Sequence, residues 1–65
     1  MRTPTERQLV VLNLIDRGFS VPMIAEELGV HPSSVKQSVM SMRFQLAAPG
    51  IRQLPYLARQ AGWLK

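Results

Sequence analysis

Glycine and proline punctuate this chain at close intervals, at Gly18, at the cluster Gly29, Val30, His31 and Pro32, and at Pro49 with Gly50, so that only short segments remain and a strand-rich fold is excluded. The segments between the breaks place their apolar residues in helical arcs. The first opens with Thr5 and carries Gln8 three residues on, the spacing of a capping box in which each side chain satisfies the other residue's backbone amide. Helix one then runs to about Arg17, with Val11, Leu12, Leu14 and Ile15 in one arc, Leu9 and Val10 outside it, and Gly18 as a left-handed stop. Ser20 caps a second, two-turn helix with Ile24, Ala25 and Leu28 inward and Glu26 and Glu27 toward water. Gly29 ends it, and Pro32 opens a third helix in the turn where a missing amide hydrogen costs nothing. There Val35, Val39, Met42 and Leu46 recur at i, i+4, i+7 and i+11, and the opposite face carries Ser33, Lys36, Gln37, Met40 and Arg43. Leu54, Leu57, Ala58 and Ala61 predict a shorter fourth helix, with Tyr56 and Trp63 closing the core. The expectation is an all-α, small four-helix domain over residues 1–65.

At 65 residues such a domain buries only about 60% of the surface its unfolded chain exposes. Stability must therefore come from close helix packing or an added staple. The chain has no cysteine, one histidine and four carboxylates, so disulfides and thiolate metal sites are excluded and no metal or cofactor is expected. His31, before Pro32, reads as a helix-start residue, and no serine, acid or second histidine stands at a spacing that would make it a nucleophile's partner. An enzyme is not expected. No apolar run approaches the roughly 20 residues that span a bilayer, and residues 1–7 do not form a leader, so a cytoplasmic protein is expected.

Charge is divided unevenly. Through Val30, Arg2, Arg7 and Arg17 are outnumbered by Glu6, Asp16, Glu26 and Glu27, whereas from His31 onward Lys36, Arg43, Arg52, Arg59 and Lys65 stand without a single acid. The net charge of +4 thus resides in the second half, the footprint expected for a polyanion such as double-stranded DNA.

Residues 21–40 have the spacing of a helix-turn-helix, with Ala25 small where the helices cross, Gly29 in the turn, and Ile24, Leu28, Val30 and Val35 closing the angle. With Thr5, Arg7 and Gln8 near the start, Ser34, Val35 and Lys36 in helix three, Met42, Leu46 and the tail 58–64, the chain resembles the LuxR/GerE-type DNA-binding domain over nearly its whole length. The resemblance implies that helices two and three form the helix-turn-helix, that helix three enters the major groove, and that helix four makes a twofold contact. It departs from the family at Val10, Ser38 and Gln45, at Val21, Pro22 and Met23, where phosphate-contacting polar side chains are missing and backbone amides would serve instead, and at Pro55, inside the family's fourth helix, so that this helix is expected to start at or near Leu54. A likeness to region four of bacterial sigma factors is weaker, because the tail 58–64 matches the first family.

On this reading Lys36, Gln37 and Met40 are the base contacts: lysine donates to guanine O6 and N7, glutamine holds adenine, and methionine meets a thymine methyl or merely covers the surface. Ser33 and Ser34, in the first turn, either contact phosphate or act as local caps, and Arg43, Arg52, Arg59 and Lys65 are the remaining candidates for the phosphates. A homodimer or a protein partner would use Leu54, Leu57, Ala58, Ala61, Val10 and Met23. The function expected is a sequence-specific transcriptional regulator consisting of little more than this domain. The alternative is a helix-turn-helix protein-interaction module that binds a transcription-machinery or regulator protein through apolar surface at Leu9, Val10 and residues 21–23.

Overall fold

The computed structural model describes residues 4–64: α1 (Glu6–Asp16), α2 (Val21–Leu28), α3 (Pro32–Leu46), a 3-10 turn (Ile51–Gln53) and α4 (Leu54–Gln60), with no strand among the described residues. The capping box forms as its spacing predicts, Thr5 Oγ1 accepting from the Gln8 amide at 3.1 Å and Gln8 Oε1 from the Thr5 amide at 3.0 Å. Ser20 caps α2, and His31 caps α3 ahead of Pro32.

All four helices stop in the same way. A left-handed residue turns the chain so that the next amide reaches back to a carbonyl in the last turn: Phe19 to Leu14 at 3.0 Å, Val30 to Ala25 at 3.0 Å, Ala48 to Arg43 at 2.9 Å and Trp63 to Ala58 at 2.7 Å. Glycine takes the left-handed position at 18, 29 and 62, but after α3 it is Ala47, at φ 52°. The expected break at Pro49 and Gly50 therefore begins earlier, at a residue whose Cβ is disfavoured in that conformation.

The core is a single cluster to which every helix contributes. Val11 and Leu12 of α1, Ile24 of α2, Met42 of α3 and Leu54 and Ala58 of α4 have no accessible surface. Each of the larger side chains contributes about 1.5–3 kcal/mol by leaving water. No polar or charged residue is buried with them among the described residues. Ala25, 2% exposed, lies where α2 meets α3, so the helix-turn-helix angle is set by apolar contact. The fold is thus an all-α helix-turn-helix held by one core.

Three sequence expectations change, at Leu9, Val21 and Tyr56. Leu9 and Val21 are not free apolar surface, because both lean against the core. α4 starts at Leu54, as Pro55 leads one to expect: the proline occupies the first turn, where no helical hydrogen bond is lost, and the 3-10 turn delivers the chain to it. With Leu54 and Ala58 inward, the helical period turns Tyr56 away, and it is 61% exposed instead of closing the core. Trp63 does pack against the core.

Candidate nucleic-acid interface

The outer face of α3 is what the helix-turn-helix leaves exposed. With Val35, Val39 and Met42 buried, the 3.6-residue period turns Ser33, Ser34, Lys36, Gln37 and Met40 to solvent. Lys36, Gln37 and Met40, the expected base contacts, share one outward strip, and Met40 is 65% exposed.

The start of this helix has few amides to spare. Pro32 has none, the Ser33 amide donates to His31 Nδ1 at 3.1 Å, and the Ser34 amide donates to the His31 carbonyl at 3.0 Å. The Ser33 hydroxyl also lies 2.9 Å from His31 Nδ1. Capping of the Ser33 amide requires the imidazole proton on Nε2, leaving Nδ1 as acceptor. His31 is therefore a cap, as its sequence position suggests. Of the two serines, Ser34 presents its hydroxyl outward while Ser33 is engaged locally. The start of α2 is similar: the Ser20 hydroxyl accepts from the Met23 amide at 3.4 Å, and Pro22 lacks a hydrogen. A phosphate there would meet at most the Ser20 and Val21 amides, since those of Met23 and Ile24 are taken up by Ser20.

The arginines separate into two groups. Arg43 is half-buried and folds back on the loop after α3, donating through Nη2 to the Pro49 carbonyl at 2.8 Å and through Nε to the Ala48 carbonyl at 3.5 Å. Arg59 pairs with Asp16, joining α4 to the end of α1. Both were expected to hold phosphate, and both are occupied within the molecule. Arg52 is exposed on the 3-10 turn, where it lines a shallow groove of about 270 Å³ with Phe19, Ser20 and Val21 at the start of α2. It is the exposed arginine that shares this groove with the start of α2. Lys65 and residues 1–3 lie outside the described residues.

No protein-family model matches this chain. No curated protein is significantly similar to it in sequence either. The LuxR/GerE resemblance accordingly rests on the residues named above.

The expected partner contacts also separate. Leu54 and Ala58 are completely buried in the monomer and cannot touch a second molecule. Leu57 is half-buried, whereas Ala61 is exposed, Val10 is 38% exposed and Met23 50%. One exposed residue escaped sequence reasoning altogether. Phe44, on the outer side of α3, is 89% exposed. Its position eight residues after Lys36, two helical repeats of four, is the sequence signal that places it on this face. No described helix is long and apolar enough to cross a membrane.

Proposed function

We propose that the chain is a sequence-specific DNA-binding transcriptional regulator of the LuxR/GerE type, which sets the outer face of α3 into the major groove. The observation that carries this reading is the α2–turn–α3 pair with Lys36 and Gln37 exposed on the early turns of α3, in the half of the chain that contains no acid. Lys36 then donates to guanine O6 and N7, and Gln37 takes the paired donor and acceptor of adenine. Ser34 and Arg52 hold phosphates and set register without reading sequence. If two copies bind an inverted repeat, Tyr56, the exposed part of Leu57 and Ala61 at the end of α4 are the apolar groups available to the twofold contact.

Selection of bound sequences from a random duplex pool, using the intact chain, tests this reading. The expected result is an enriched motif whose affinity falls with salt, roughly tenfold between 50 and 200 mM if Arg52 of each of two copies neutralises one phosphate. No enrichment, with binding insensitive to salt, would overturn it. That outcome would favour a protein-interaction module, for which the half-exposed Met23 at the start of α2 is the specific support.

A further inference from the structure

The outer face of α3 changes character halfway along. Lys36, Met40 and Phe44 recur every four residues and form one row, so the row begins with a cation and ends with two apolar side chains, 65% and 89% exposed. The polar groups of the second half are engaged within the molecule. The Arg43 guanidinium is held by the Ala48 and Pro49 carbonyls, and Gln45 Nε2 donates to Ser41 Oγ at 3.1 Å. The second half therefore offers a partner apolar contact and little hydrogen bonding.

We infer that Phe44, with Met40, is a specificity-determining contact that reads thymine C5-methyl groups in the major groove. The inference rests on the DNA-binding reading and adds to it what the far half of α3 recognises. In the major groove the feature that rewards an apolar side chain is the thymine methyl, since the other base edges present hydrogen-bond donors and acceptors. Eight residues of helix advance about 12 Å, so thymines fall within roughly three to four base pairs of the Lys36 contact. A second copy of the chain is a poorer occupant. Met40 and Phe44 together bury at most about half of the roughly 800 Å² per partner that a stable interface needs. Lys36, in the same row, would face its own counterpart or be left beside it. A duplex, by contrast, complements a half of the chain that lacks acids.

The test uses a duplex recovered by selection, in which each thymine is replaced in turn by deoxyuridine, removing one methyl and leaving base pairing intact. The expected result is one or two positions where deoxyuridine weakens binding about fourfold, the order of effect of burying one methyl. Phe44→Ala should abolish that discrimination at one of these positions, and Met40→Ala at its neighbour. Phe44 is exposed, so both proteins should melt together. If every deoxyuridine duplex binds wild type as well as its thymine parent, or the discrimination survives both substitutions, the inference fails while DNA binding stands. Sedimentation showing Phe44-dependent dimers without DNA would likewise overturn it. Failure of the selection itself removes the DNA-binding reading and the inference with it, a result distinct from the others.

Discussion

The two faces of α3 are made by one run of fifteen residues and obey different constraints. Inward, Val35, Val39 and Met42 are fixed by the volume left between α1, α2 and α4, so their identities follow from packing. Outward, Lys36, Gln37, Met40 and Phe44 meet no such constraint, and packing does not explain why they are these residues rather than others. The buried face accounts for the fold, and the identities on the exposed face are left undetermined by it.

That contrast can be broken by substitution. The largest effect belongs to the inner face: Met42→Ala should cost about 2–5 kcal/mol of stability by leaving a cavity at a site with no accessible surface. Chemical denaturation measures it directly. On the outer face, Lys36→Ala should leave the melting curve unchanged while weakening specific DNA binding by about 1–3 kcal/mol and relaxing sequence preference. Equal losses on cognate and random duplexes would remove Lys36 from base reading and make it a phosphate contact.

Smaller effects sharpen the boundary between the faces. Ala47 ends α3 in the left-handed conformation, so Ala47→Gly should stabilise the protein by about 0.5–1 kcal/mol, the relief of Cβ strain exceeding the added freedom of the unfolded chain. A rise of about 4 °C in the thermal midpoint is expected. Arg59→Ala, which removes an exposed ion pair to Asp16, should cost less than about 1 kcal/mol. The same variant should leave DNA affinity nearly unaltered. A uniform loss of binding on all sequences, with melting unaffected, would instead return Arg59 to the phosphate contacts.

The fold was legible because its signals are local. Thr5 with Gln8, Ser20, and the glycines at 18 and 29 each act on the backbone within a few residues, and the apolar periods of α1 and α3 choose the buried side directly. The stop at Ala47 was hidden because no glycine marks it. Tyr56 was misplaced because its aromatic ring suggested burial, although the period of Leu54 and Ala58 turns it outward. The candidate site was legible in part: Lys36, Gln37 and Met40 are exposed on one strip, as their spacing requires. The arginines were not, because whether Arg43 and Arg59 are free depends on a loop carbonyl and on an acid far away in sequence. Periodicity carries no information about such partners.

The most direct measurement is a map of backbone amide chemical shifts as an enriched duplex is titrated into the isotopically labelled chain. The shifts should concentrate on residues 33–44 of α3, with a second group at Arg52 and the start of α2, and core amides should change least. Shifts gathered around Val10 and Met23 with α3 unperturbed, or none at all at saturating DNA, would contradict the assignment of α3 as the reading helix.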